Sequence, residues 1–457
     1  MSEPSKQPEL VRGLSSWDAV LLAVGGVVGT GIFLTSADLA KALPSQGWIL
    51  GVWVAGGLLT LAGALTYAEM GAMYPRAGGL YQFLKEAYGP FWAFLYGWTA
   101  FTVIMTGGIA AIAAGFGEYL GSFLPFFGSS HVLVSVPLGS FTWTLAGNQL
   151  AAVLAILFLT VVNVLGLRQG AGLQNLLTVA KVGSLVVFVV AGFWVKPVAA
   201  ANLPAAGAPT GLLTAFGVGM VAVLWTYDGW YGLTFTAGEM RKPERSLPIG
   251  LVVGTLIVAA LYVGLQLVYF RALSLAEMAA SPRVGEAAAG ALFGPTGARL
   301  LSAVVLLCSF GCLSATILYS ARIYLPMAQD GVFFRAVGAV HPRYRTPHVS
   351  LWAQSLWALL LAVSGTFTQL YTYVVFASVL FQMATGGALF RLRALYPQLP
   401  RPYRVWGYPW VPALFILASL LLVANTLLER PVESLIGLGL VALGVPAYFA
   451  WRRKAGA

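Results

Sequence analysis

Apolar runs of about 20 residues recur from one end of the chain to the other, and nothing else in the sequence restricts its fold as much. A helix of that length crosses a hydrocarbon core of roughly 30 Å. Lipid offers the backbone no hydrogen bonds, so each run has to close on itself as a helix. We read twelve spans, at about 17–40, 47–73, 90–119, 146–167, 171–195, 211–238, 246–270, 297–326, 347–364, 368–391, 409–428 and 433–451. Charged residues make up 9% of the 457 and hydrophobic ones 59%, whereas a soluble chain carries about a quarter charged. These features predict an all-α polytopic protein embedded in the lipid bilayer.

The polar start, MSEPSKQPELVRGLSSWD, lacks the short apolar region and small-residue cleavage site of a secretory signal, so the first span is expected to stay in the mature protein. The net charge of +11 does not point to nucleic acid, because the basic residues lie between the apolar runs. With the N-terminus inside, about 19 of the 26 Lys and Arg fall on the inner side, and the outer loop at about 120–145 has none. Both termini are therefore expected in the cytoplasm. Cys308 and Cys312, four apart in one apolar run, read as packing residues rather than a disulfide or metal site.

Two spans carry interruptions. The first contains AVGGVVGTGIF, with Gly25, Gly26, Gly29 and Gly31 inside it; each glycine in a helix interior costs about 1 kcal/mol against alanine. The sixth contains LWTYDGWYGL, where Asp228 and Gly229 sit mid-run. Gly25 and Gly29 alone fit a small-xxx-small packing motif. The matched break in the sixth span favours inverted repeats around a midplane site instead. The expected organisation is a cytoplasmic segment 1–16, a first repeat 17–200, a second repeat 208–392, two further spans in 405–451 and a cytoplasmic tail 452–457.

An unwound helix turns bare N–H groups toward the start of its second half, here those of Gly29, Thr30 and Gly31, and bare carbonyls at the end of its first half, here that of Val27. The second break, at Trp225, Thr226, Asp228 and Gly229, adds carbonyls around Trp225 and Asp228. Donors facing acceptors suit a zwitterion, the backbone of an amino acid.

The stretches GGVVGTGIF, AEMGAMYPRAGGLYQFLKEAYGPFWAFLYGW, TYDGW followed by GEMRKPERSLPIG, and SARIYLPMAQDGVFF resemble the amino acid–polyamine–organocation (APC) permeases, most closely bacterial L-type amino acid transporter-like proteins. The likeness runs to about residue 350. It implies a leucine-transporter-like fold of 5+5 inverted repeats with discontinuous helices 1 and 6. It also implies carboxylate contacts at Gly29, Thr30 and Gly31 and amine contacts at the carbonyls of Val27, Trp225 and Asp228. Trp225 takes the position of an aromatic gate, with Trp230 beside it; the alternative is that both only fill core or interface volume.

Lys181 lies deep in the fifth span, where a charge costs about 3 kcal/mol; snorkelling to the inner surface is the plain explanation. The resemblance puts its ammonium where sodium-coupled cousins hold sodium, beside Gly25 and Gly26, and implies sodium-independent transport. Two mechanisms stay open. Lys181 either releases its proton and couples proton movement to substrate, or stays charged and fixes the first span against the eighth, where Ser309 and Ser314 offer hydroxyls. Asp228 could bind a proton, take a cationic substrate or cap the broken helix, and capping is favoured. Glu69 and Glu239 are read as inner-gate contacts.

The function expected is exchange of neutral L-amino acids across the bacterial inner membrane, with proton symport or cationic amino acid and polyamine antiport as alternatives. The three histidines fall in loops and no span holds a metal-ligand cluster or a Gly-x-Ser-x-Gly elbow, so no enzyme, metal or cofactor is expected. A channel fits paired breaks less well. The animal relatives bind a heavy-chain glycoprotein through a cysteine in the loop between spans three and four; that loop has none here, so no disulfide-linked subunit is expected.

Overall fold

The computed structural model describes residues 12–138, 141–198, 211–364 and 367–455. The start of the expected N-terminal segment, the boundary between the two expected repeats and the last residues of the tail lie outside these. In chain order the first helices are α1 (Ser16–Val27), α2 (Gly31–Ala42), α3 (Gln46–Met73), α4 (Leu80–Tyr88), α5 (Pro90–Thr99) and α6 (Met105–Leu120). A two-stranded antiparallel hairpin follows, β1 (Val132–Leu138) and β2 (Phe141–Ala146). Then come α7 (Gly147–Leu165), α8 (Leu167–Trp194), α9 (Leu212–Tyr227), α10 (Pro243–Ala272), α11 (Leu275–Ala280) and α12 (Val284–Gln329). The chain closes with α13 (His348–Ser364), α14 (Phe367–Leu395), α15 (Trp410–Glu429), α16 (Pro431–Ala442) and α17 (Gly444–Ala455).

Among the described residues, 10 helices are long and apolar enough to cross a membrane, and the α1–α2 pair, bent by 44° at its break, makes up to 11. The ninth expected span, α13, is a shorter apolar helix. The hairpin corrects the all-α expectation. Its first strand alternates Val132, Val134 and Val136 with other residues, and β-branched side chains suit a pleated surface. α12 is two helices that meet at Gly294 (φ 72°) ahead of Pro295, which has no N–H to donate, and the second of them matches the eighth expected span.

The first span starts on a capping box. The Asp18 N–H donates to Ser15 Oγ at 3.2 Å and the Ser15 N–H donates to Asp18 Oδ2 at 2.7 Å. It stops at Val28 and resumes at Gly31. The sixth span stops at Tyr227, turns at Asp228–Gly229, and continues as a 3-10 helix over Trp230–Glu239. Glycines 229, 232 and 238 weaken α-helix there, and the Thr234 and Thr236 hydroxyls bond back to carbonyls three residues earlier.

One face of the bundle, which carries the hairpin, is hollow. Its open cavities measure about 360 Å3 between α2, α6 and α11, and about 250 Å3 between α2, α9 and α14. The opposite face is stitched shut. Gly13 and Leu14 donate their N–H groups to the Glu239 carbonyl at 2.8 and 3.0 Å, and Arg241 N–H donates to Leu14 O at 3.0 Å. The Glu239 carboxylate, almost wholly buried, accepts from Arg322 Nε at 2.7 Å. Glu69 accepts from Arg393 Nη2 at 2.6 Å and from the Val405 N–H at 2.7 Å, tying α3 to α14 and the segment before α15. Lys85 meets Asp330 at 2.7 Å nearby.

Candidate functional site

The two breaks come side by side. Thr35 of α2 and Thr226 of α9 join their hydroxyls at 3.0 Å. A carbon added at Gly31 would lie 2.9 Å from the Thr226 Cα, so only a glycine lets the two helices approach this closely. Between the breaks lies a cavity of about 30 Å3. Its walls include Val27, Gly29, Thr30 and Gly31 from the first break, Trp225, Thr226, Asp228 and Gly229 from the second, and Gly26.

The donor side of the cavity is bare. Gly31 opens α2, and the first N–H groups of a helix have no partner within it. Thr30 is buried and its hydroxyl has no hydrogen-bond partner. An unmet hydroxyl beside unmet amides at a helix N-terminus is a ready receptor for a carboxylate.

The acceptor side is furnished by side chains from elsewhere in the chain. Lys181 Nζ donates to the Gly25 carbonyl at 2.7 Å and the Val28 carbonyl at 2.8 Å. Cys312 Sγ donates to the Gly26 carbonyl at 3.1 Å. The Tyr262 hydroxyl lies 3.1 Å from both the Val27 and the Thr226 carbonyls, one on each broken helix. It has one proton to give, so one of these two oxygens always keeps its lone pairs for another donor.

Three expectations differ from the structure. Ser309 donates to the Val305 carbonyl, and Ser314 faces the Asn163 amide at 3.4 Å. Lys181 finds its partners on the first span alone, the expected Gly25 among them, whose broken end offers stronger acceptors than hydroxyls. The Trp225 carbonyl accepts the Asp228 N–H at 3.1 Å, closing the last turn of α9, and the Thr226 carbonyl lies 3.1 Å from the Tyr262 hydroxyl. Trp230 is not part of the cavity wall. It packs on Tyr67, ring centroids 4.8 Å apart, with Gly63 making room for it. Cys312 lines the cavity rather than only filling the core.

Asp228 takes long hydrogen bonds, from Tyr231 Oη at 3.4 Å and Gln382 Nε2 at 3.5 Å. Its neighbour Gly229 adopts φ 94°, the left-handed region that favours glycine.

Sequence reading missed Tyr262, Cys312, Thr316, Tyr319, Ile104 and the α6 wall at Met105, Gly108 and Ile112. A tyrosine hydroxyl within the apolar run of α10, which also carries Tyr269, was a readable signal, since a phenol in lipid needs an acceptor. What it bonds was not readable. Gly108 lines the cavity and a Cβ there would meet nothing within 4 Å. Gly108→Val is therefore expected to leave thermal stability unchanged while raising KM for larger amino acids about ten-fold and for the smallest ones little. Uptake kinetics across a size series check this.

The family profile for amino acid permeases matches residues 14–438, most of the chain. The chain belongs to that family. It is an APC permease, a multi-pass membrane protein whose relatives are transporters rather than enzymes. It is 30% identical to the serine/threonine exchanger SteT of Bacillus subtilis (strain 168), over 95% of this chain and 96% of that one. It is 28% identical to mouse b(0,+)-type amino acid transporter 1, covering 93% and 85% of the two chains. The human cystine/glutamate transporter is 27% identical, with 98% and 87% covered. These likenesses support amino acid transport for the permease, with exchange among the modes its relatives use.

Proposed function

We propose that this permease exchanges neutral L-amino acids across a bacterial inner membrane without sodium, by alternating access around the two broken helices. The observation that carries the reading is the pairing of bare amides and the unmet Thr30 hydroxyl on one side of the cavity with carbonyls of Val27 and Thr226 on the other. The carboxylate of the substrate sits on the amides of Gly29, Thr30 and Gly31, and its ammonium on the free carbonyl that Tyr262 leaves. Lys181 supports the sodium-free part, because its ammonium fills the carbonyl cage that a monovalent cation would need.

The reading includes twelve spans in two inverted five-span repeats followed by two more, with the first and sixth spans interrupted. The basic clusters favour a cytoplasmic location for the stitched face and both termini. In that orientation the ion pairs at Glu239 and Glu69 close the inner gate while the hairpin face stands open. Alternation requires these pairs to part and the outer wall to close.

The test is counterflow in proteoliposomes. Internal unlabelled amino acid should accelerate uptake of labelled neutral amino acid, with no gain from a sodium or pH gradient. Uptake that needs a pH gradient and ignores internal amino acid defeats the exchange reading. A second reading has one observation behind it: Asp228 lines the cavity, and its side-chain partners Tyr231 and Gln382 stand at 3.4 and 3.5 Å. If lysine or arginine alone drives counterflow, Asp228 receives a cationic side chain and the neutral assignment fails.

A further inference from the structure

The central cavity has room for about two waters, less than any amino acid occupies, so a wall has to move to admit one. The wall toward the hollow face is aromatic. Trp225 lines the central cavity and Tyr371 of α14 lines the adjoining 250 Å3 cavity. Their rings are stacked, with centroids 5.9 Å apart and planes at 23°. Tyr371 does not hold this position by packing alone, because its hydroxyl donates to Asp38 Oδ2 at 3.0 Å. Asp38 stands on α2, the half-helix whose first amides face the cavity, and it lines both outer cavities.

We propose that Tyr371 and Asp38 are positioning residues of a lid: the Asp38 carboxylate latches the Tyr371 hydroxyl, and the Tyr371 ring holds Trp225 over the cavity. The inference rests on the exchange reading for its purpose, since a lid matters only if something is enclosed. Its geometry is independent of which amino acid that is. The latch joins α2 to α14, so closing the lid draws the half-helix that presents the amides toward the helix that carries Tyr371. Bound carboxylate and closed lid then favour one another, because both act on α2.

Three variants separate the latch from simple packing. Tyr371→Phe keeps the ring and loses the proton donor. Asp38→Ala loses the acceptor. Asp38→Asn keeps an oxygen that can accept. The readout is modification of Cys312, on the cavity wall, in a Cys308→Ser background. A membrane-impermeant maleimide is added on the hairpin side of membrane vesicles of known sidedness. Tyr371→Phe and Asp38→Ala should each speed labelling by about five-fold or more, and their combination should add little to either. Asp38→Asn should stay near the parent rate. Transport should change in step, with KM raised and maximal rate kept in the two fast-labelling variants.

Equal labelling rates in all three variants overturn the proposal, as do effects of the two losses that simply multiply. A variant whose monodisperse yield collapses is replaced by Tyr371→Leu or Asp38→Val, judged by the same rates. If labelling follows the latch but the parent protein exchanges no amino acid, the lid stands and the exchange reading falls.

Discussion

Gly229→Ala is expected to abolish exchange, and Gly89→Ala is expected to spare it. Both glycines hold a positive φ, 94° and 93°, with ψ −13° at Gly229 and 177° at Gly89. Either conformation costs a residue with a Cβ roughly 1–3 kcal/mol. The two differ in what a Cβ would strike. At Gly89 it would meet nothing within 4 Å; at Gly229 it would lie 2.7 Å from the Gly26 carbonyl oxygen and 3.2 Å from the Tyr319 hydroxyl. The first of these obstacles is backbone, so the two broken helices would have to separate. That separation opens the arrangement of amides and carbonyls on which the proposed binding depends. Exchange in proteoliposomes should fall at least about a hundred-fold for Gly229→Ala, equivalent to about 3 kcal/mol. Gly89→Ala should lose only thermal stability, by the conformational cost alone. Equal effects of the two would show that the close approach of the breaks is irrelevant to transport.

The second large effect is expected from Lys181→Met. The substitution keeps most of the volume and removes the donor to the Gly25 and Val28 carbonyls. A buried polar group stripped of its partner costs about 1–3 kcal/mol, so two cost about 2–6 kcal/mol. Much of this falls on the unwound segment between α1 and α2, which positions the amides of Gly29 to Gly31. Exchange without any gradient should drop at least about ten-fold. Lys196→Met, at an exposed lysine beyond the end of α8, serves as the control and should behave as the parent. If Lys181→Met instead keeps gradient-free exchange and loses only a response to pH, proton coupling is its role and the fixed-charge account fails.

Much of this was legible before any coordinates, for reasons that differ from one element to the next. The break in the first span could be read because its four glycines within seven residues are matched by the acid and glycine that interrupt the sixth span. The break at Asp228–Gly229 was visible as an acid and a glycine inside an apolar run. The 3-10 winding after it was not, since the hydropathy of Trp230–Glu239 does not distinguish one helix type from another. The hairpin was overlooked although Val132, Val134 and Val136 alternate, because apolar length dominates the reading of a membrane chain. Gate residues show the limit most clearly. Trp225 and Trp230 look alike in sequence, five residues apart, yet one faces the cavity and the other packs against Tyr67. On a continuous α-helix five residues would set them about 140° apart, and the turn at Gly229 changes even that relation.

Sequence alone determined that this chain is helical, lies in a bilayer and is interrupted in two spans. Those properties come from run length, glycine placement and the need of each backbone segment to bond to itself in lipid. Tertiary structure decided which side chain fills each carbonyl left open: Lys181, Cys312 and Tyr262 reach the first break from α8, α12 and α10. A helix's periodicity says which residues share a face, but only packing says which helix that face will meet.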